Sequence, residues 1–261
     1  MGHKRLGWLP KTKPWQIIVA EMGKYALGRA EISSIAKNTL QNVEDRFSKL
    51  SNDPSIQTSF EFLLHLACAF RQEKPLKYLT ENKILEREEI SLLKLGRAAN
   101  NYKKEEEIAS HEYQTFAKQA AIDAINNWYN DNSERGRSFF DNGVDTLAVF
   151  SKVGNGSGFC ELSRLYFSKL TERYLKYFLE RNASAKITDL NTRKEFSIEI
   201  EKHVNDISKH AFETAKITQS FSAGWYYNNA VNNFPKENEV KGFLDYALTK
   251  MKSELLVEKQ K

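Results

Sequence analysis

Apolar residues recur three and four positions apart along much of this chain, the spacing that one face of an α-helix requires. In the segment 31–50 they are Ile32, Ala36, Leu40, Val43, Phe47 and Leu50. In the segment after Pro235 they are Val240, Leu244, Ala247, Met251 and Leu255. Each pattern predicts an amphipathic helix with one buried side.

The segment that follows Pro54 is apolar on every side, which is typical of a helix in the centre of a core. Asp53 is a suitable N-cap, and proline is favoured at the first helical position that Pro54 would occupy. Pro75 marks the end of this predicted helix.

Residues 76–234 contain no proline, although average usage would place roughly eight in a segment of that length. Proline interrupts helices, so its absence favours long ones. We predict one helix over residues 159–181, and Thr192 with Glu195 forms a capping-box pattern that would start another at Arg193. Its apolar positions have the spacing of a helix packed along a partner, which predicts a helical hairpin. These positions are Ile200, Val204, Ile207, Ala211, Thr214, Thr218 and Phe221.

The predicted fold class is therefore all-α, an irregular multi-helix bundle of about eight helices with little or no strand. Residues 145–153 are the one segment compatible with a short strand. The polar, glycine-containing segment 130–143 is the best candidate for a boundary. It would separate an N-terminal helical subdomain (15–132), preceded by a basic arm (1–14), from a C-terminal one (144–258), unless the chain forms one continuous domain.

Composition narrows the function classes only slightly. Hydrophobic residues make up 41% of the chain, enough for a core, and the 28% of charged residues leave a net charge of +5. That charge permits a nucleic-acid partner without requiring one. Cys68 and Cys160 lie in apolar helical contexts, where reduced buried thiols are expected. We expect a cytoplasmic protein with no membrane-spanning segment.

Two groups of basic residues predict nucleic-acid binding as one hypothesis. The N-terminal arm carries Lys4, Arg5, Lys11 and Lys13 without an acidic residue. The helix over 159–181 places Lys169, Arg173 and Lys176 on one face, with Tyr166 and Tyr177 beside them. Cations between aromatic rings can neutralise phosphates and stack on bases. The alternatives are a solvated outer face, diluted by acidic neighbours, and an arm that docks on the protein itself.

The glycine-rich segment 154–158 precedes a helix and follows Lys152, an arrangement that can bind an anion through free backbone amides. It lacks the Lys-Ser or Lys-Thr of a phosphate-binding loop and the spacing of a hydrolase elbow. A structural connector is one interpretation. An enzyme that acts on a phosphate-bearing substrate, with Ser157 as its nucleophile, is another, and it would need His203 or His210 as a base. We assign no catalytic residue, metal ligand or cofactor.

An aromatic cluster lies at residues 221–227, and we expect a turn over residues 223–227. Its members are Phe221, Trp225, Tyr226 and Tyr227. Exposed, they would anchor a partner protein; buried, they would belong to the core. We favour a non-catalytic interaction module, an accessory or adaptor subunit of a prokaryotic multi-protein system. The partner would be another protein subunit, with DNA or RNA as the alternative. Defence against mobile elements would be one such setting, although no residue demonstrates it.

Overall fold

The computed structural model describes residues 11–103, 111–133, 145–212 and 220–257. Within these ranges it contains twelve α-helices and no strand. The first six helices are α1 (Lys13–Tyr25), α2 (Ile32–Asn42), α3 (Glu44–Phe47), α4 (Pro54–Ala69), α5 (Pro75–Glu81) and α6 (Leu92–Asn101). The other six are α7 (His111–Ser133), α8 (Thr146–Phe150), α9 (Gly156–Lys186), α10 (Leu190–Phe212), α11 (Phe221–Asn229) and α12 (Glu237–Val257). The all-α class is confirmed, whereas the expected number of about eight helices is wrong.

One of the additional helices arises where a helix breaks although the apolar pattern continues. Residues 31–50 form α2 and α3, with a break at Val43, where φ is −117° and ψ is 17°. Phe47 and Leu50 beyond the break are nevertheless buried. The pattern therefore marks which residues are buried, not whether the helix that carries them is continuous.

Residues 145–153, the one segment compatible with a short strand, form α8 and a 3-10 helix (Ser151–Gly154). Two local expectations are wrong. The expected aromatic turn is helix α11, capped by Ser220, whose hydroxyl accepts a hydrogen bond from the Ala223 amide. Helix α10 begins one turn before the predicted capping box, because the Asp189 carboxylate accepts bonds from the amide (2.7 Å) and hydroxyl (2.8 Å) of Thr192.

Helix α4 is central, as its apolar sequence predicts. Asp53 caps it by accepting a hydrogen bond from the Ser55 amide (2.9 Å), and Pro54 lies in its first turn. The helix packs against α5, α7, α9 and α12. Its Phe60 ring lies 6.2 Å from Phe159 and 5.2 Å from Phe243, so α4, α9 and α12 meet in one aromatic core.

Helices α9 and α10 form the predicted hairpin, and α9 also packs against α1, α4, α7 and α11. One hydrophobic cluster extends from Trp15 in α1 to Leu255 in α12. It includes residues of both predicted subdomains. The predicted boundary falls mostly on residues 134–144, outside the described ranges, and the division into subdomains stays a prediction.

Candidate protein interface

Helices α11 and α12 place three aromatic side chains side by side at the edge of the core. Phe221 and Trp225 are four residues apart and share one side of α11. The Phe221 ring lies 4.8 Å from Tyr246 of α12, edge to face, and the Trp225 ring lies 4.6 Å from Phe243. Phe221 and Trp225 are half-buried, and Tyr246 is 49% exposed. We call Phe221, Trp225 and Tyr246 the aromatic surface.

Tyr226 fixes α11 to the rest of the bundle. The side chain is fully buried, and its ring stacks on Phe159 at 4.5 Å. Its hydroxyl reaches the backbone carbonyls of Ala67 (3.1 Å) and Gly154 (3.2 Å). Burial raises the pKa of Tyr226 above its ordinary value, so the hydroxyl keeps its proton. In this conformation Tyr226 supports the aromatic surface from inside and cannot contact a partner.

Tyr227 lies on the opposite side of α11 from Trp225 and is 51% exposed. Its hydroxyl accepts a hydrogen bond from the Gly156 amide at the start of α9 (3.2 Å). Of the four predicted interface residues, the structure thus places Phe221 and Trp225 together, Tyr226 in the core and Tyr227 on a separate side.

Cys160 supports the start of α11. Its sulfur lies 2.9 Å from the Ser220 hydroxyl that caps this helix. Burial raises the pKa of the Cys160 thiol, and burial raises that of Cys68 to about 12. Both cysteines are free thiols in the core, as the sequence predicts. They are protonated packing groups and not reactive thiolates.

The predicted cation face of α9 is occupied by ion pairs. Lys169 contacts Glu172 (3.0 Å) and Glu201 of α10, and Lys176 contacts Glu172 (2.5 Å). Arg173 binds Asp123 of α7. Burial lowers the pKa of Lys169, but its contacts with Glu201 and Glu172 outweigh that effect and the pKa is raised. The cations hold α7, α9 and α10 together.

The aromatic partners of that face are closed to bases in this conformation. Tyr166 is fully buried, and its hydroxyl lies 2.7 Å from Ser59 and 3.2 Å from the Ile56 carbonyl. Tyr177 is 9% exposed and packs edge to face on Phe178. Stacking on a nucleobase would require both rings to leave the core.

The glycine-rich segment is a packing joint. A Cβ atom on Gly154 would lie 2.4 Å from the Phe70 carbonyl oxygen, and one on Gly158 would lie 1.9 Å from that of Lys152. The Gly156 amide donates to Tyr227, and the Gly158 amide donates to the Asn155 side chain (2.8 Å). Two of the amides that would bind an anion are therefore already used, which favours the connector interpretation. Lys152 and Ser157 are exposed beside the joint.

The remaining predicted basic residues belong to the N-terminal arm. Lys4 and Arg5 are outside the described ranges, and Lys11 and Lys13 lie exposed at the start of α1. Along the described ranges, no group of three or more His, Cys, Asp or Glu side chains is placed to hold a metal ion. No helix of these same residues is long and apolar enough to cross a membrane.

Tyr246 is the functional candidate that the sequence analysis missed. It lies outside the apolar series that defines α12, three residues after Phe243, and its neighbourhood with Phe221 depends on how α11 crosses α12. Phe234, which is 36% exposed and stacks on His65 at 4.0 Å, was also missed. A search for aromatics outside the buried series would have found both.

The comparisons with known proteins found no similar protein. No family model matches the chain, and neither a curated protein nor a solved structure has significant similarity to it.

Proposed function

We propose that this protein is a non-catalytic helical interaction module that binds another protein through the aromatic surface. It would act as an accessory subunit of a larger assembly. The observation that carries this proposal is the cluster of Phe221, Trp225 and Tyr246, contributed by two helices and left partly exposed. Aromatic side chains bury a large area with few rotatable bonds, and they dominate the binding energy of many interfaces.

The alternative functions have less support. Phosphate binding by Lys169, Arg173 and Lys176 would have to replace their existing ion pairs, two of which join α9 to α7 and α10. Nucleophilic chemistry at Ser157 would take place on a segment whose glycines are needed for packing. The aromatic surface needs no such rearrangement, because Tyr246 is exposed and Phe221 and Trp225 are already partly exposed.

The experiment is co-purification with the proteins encoded beside the gene, followed by measurement of the affinity of any complex. The test variant is Tyr246→Asp, which places a charge on an exposed position of the aromatic surface. Leu93→Asp is the matched control, because Leu93 is an exposed apolar residue (64%) on α6, a helix that packs on α7. We expect Tyr246→Asp to weaken the complex at least tenfold and Leu93→Asp to leave it unchanged.

A monodisperse monomer that retains none of these proteins would contradict the proposal. Equal affinity of the wild type and Tyr246→Asp would contradict the assignment of the surface. Thermal unfolding of both variants, followed by circular dichroism, controls for loss of the fold.

A further inference from the structure

A basic cleft lies between the end of α5, the connection 82–91 and helix α6. Its volume is about 430 Å³, within the range of small-molecule pockets. Ile84 and Leu85, both buried, and the ring of Tyr102 form its apolar part. Five cationic side chains and two carboxylates line it, an excess of three positive charges. They are Lys83, Arg87, Lys94, Arg97, Lys103, Glu86 and Glu89.

Two of the cations are already paired. Lys94 binds Glu89, and the Lys103 ammonium lies 2.5 Å from a carboxylate oxygen of Glu61. Lys83, Arg87 and Arg97 have no ion-pair partner within 4.0 Å among the residues that the structure describes. This differs from the cation face of α9, where Lys169, Arg173 and Lys176 are all paired. With Lys94 and Lys103 paired, three cations remain against one carboxylate of the lining that is unpaired among the described residues, Glu86, so the cleft keeps a net positive field.

Lys83 occupies a backbone position that favours glycine. Its φ is 58°, in the left-handed region, and it closes α5 where the Ile84 amide donates to the Leu79 carbonyl (2.8 Å). Helices that end in this way usually have glycine at that position, because other residues are strained there. Lys103, at the other end of the cleft lining, has a φ of 40°. Strain of this kind is commonly found where side chains hold a ligand.

We propose that this cleft binds a small phosphate ester with two or more negative charges and about the size of a nucleotide. Arg87 and Arg97 would bind phosphate oxygens through their planar guanidinium groups, and Lys83 would add a third cation. The partly enclosed shape and limited volume fit a small molecule better than a polymer. This site is separate from the aromatic surface and does not depend on the proposed function.

The test is isothermal titration calorimetry of the full chain with adenosine triphosphate and, separately, with inorganic triphosphate. We expect binding that weakens as the salt concentration rises. Arg87→Gln and Arg97→Gln should each weaken it about fivefold or more, the effect of one lost charge contact near a surface. Arg29→Gln is the matched control, because Arg29 is exposed and does not line the cleft. Equal affinity for the two probes would show that the cleft recognises the phosphates alone. Tighter binding of the nucleotide would show an additional contact with its base. Either result supports the proposed site.

Lys83→Gly separates ligand binding from folding. Glycine adopts the left-handed conformation without strain, so this variant should unfold at a higher temperature than the wild type while it binds the probes more weakly. The proposal is overturned if neither probe binds at about 1 mM in low salt, or if Arg87→Gln and Arg97→Gln bind as tightly as the wild type. Binding of a single-stranded oligonucleotide without binding of either small probe would also overturn it, in favour of a polymer surface.

Discussion

Substitution of Gly158 by alanine tests whether the glycine-rich segment is a packing joint. The added Cβ atom would lie 1.9 Å from the carbonyl oxygen of Lys152 and 2.7 Å from its carbonyl carbon. Ordinary contacts between such atoms are roughly 3.5 Å. Both neighbours are backbone atoms of the 3-10 helix that precedes α9, so no side-chain rotation can relieve the contact. The turn itself must move by more than about 1 Å.

The expected loss of stability follows from the contacts that this movement disturbs. Overpacking against a close-packed neighbour costs about 1–3 kcal/mol. The same shift would also disturb the cap of α9, in which the Asn155 side chain accepts from the Gly158 amide at 2.8 Å, and loss of a cap costs about 1 kcal/mol. We therefore expect Gly158→Ala to lower the free energy of unfolding by about 2–4 kcal/mol.

Denaturant unfolding followed by far-ultraviolet circular dichroism measures this change. Gly96→Ala is the matched control, since Gly96 lies inside α6 and a Cβ atom there would have no neighbour within 4 Å. Alanine at such a helical position should stabilise the protein by about 0.5–1 kcal/mol. One result would refute the interpretation of this segment as a packing joint. It is a Gly158→Ala variant whose free energy of unfolding falls by less than about 1 kcal/mol but whose affinity for phosphate at this segment is lost.

Two further substitutions test buried ionisable groups. Burial, together with the charge of Lys103, lowers the pKa of His65 from 6.5 to about 4, so the stability that neutral His65 contributes is complete above pH 6.5 and is lost as the pH falls towards 4. At pH 5 the free energy of unfolding should be about 2 kcal/mol lower than at neutral pH for this reason, and His65→Phe should not show this decrease. Equal pH dependence of the urea midpoints of the wild type and the variant would contradict the assignment to His65. Glu172→Gln removes the carboxylate shared by Lys169 and Lys176 and should cost about 2 kcal/mol of unfolding free energy, measured in the same way. Its affinity for DNA at low salt should stay at the wild-type value, because we assign these cations to helix packing; a clear increase would instead favour a nucleic-acid face.

Burial along α12 was predictable because it depends only on helical geometry. Its five periodic apolar positions, from Val240 to Leu255, are all buried in the structure. The break at Val43 was not predictable in this way. A short turn between two helices keeps the apolar residues on the same side, so the periodicity is the same with or without it.

The ion pairs of α9 were only partly predictable. Glu172 lies three residues after Lys169 and four before Lys176, so both contacts follow from helical spacing. The other partners come from different helices: Glu201 from α10 and Asp123 from α7. Their approach depends on how those helices pack, which the sequence of α9 does not contain.

The aromatic cluster at residues 221–227 shows the same difference between what the sequence predicts and what the packing of helices decides. Tyr226 and Tyr227 are chemically identical neighbours, yet one is fully buried and the other is 51% exposed. The rotation of α11 about its axis decides between them, and that rotation is fixed by the hydrogen bonds from Tyr226 to backbone carbonyls of α4 and of the glycine-rich segment. The sequence identifies the cluster, but tertiary contacts decide which of its rings are exposed to a partner.

The packing joint and the aromatic surface are thereby physically connected. Gly154 allows close approach of the chain to the end of α4, and its carbonyl accepts a bond from Tyr226, which holds α11 against α9. The half-buried Phe221 and Trp225 are consequently supported before any partner arrives, through contacts with Phe243. A surface that is already ordered loses little conformational entropy on binding. Substitutions on it should therefore change the dissociation rate of a complex much more than its association rate, whereas a surface that became ordered only on binding would show slow association as well.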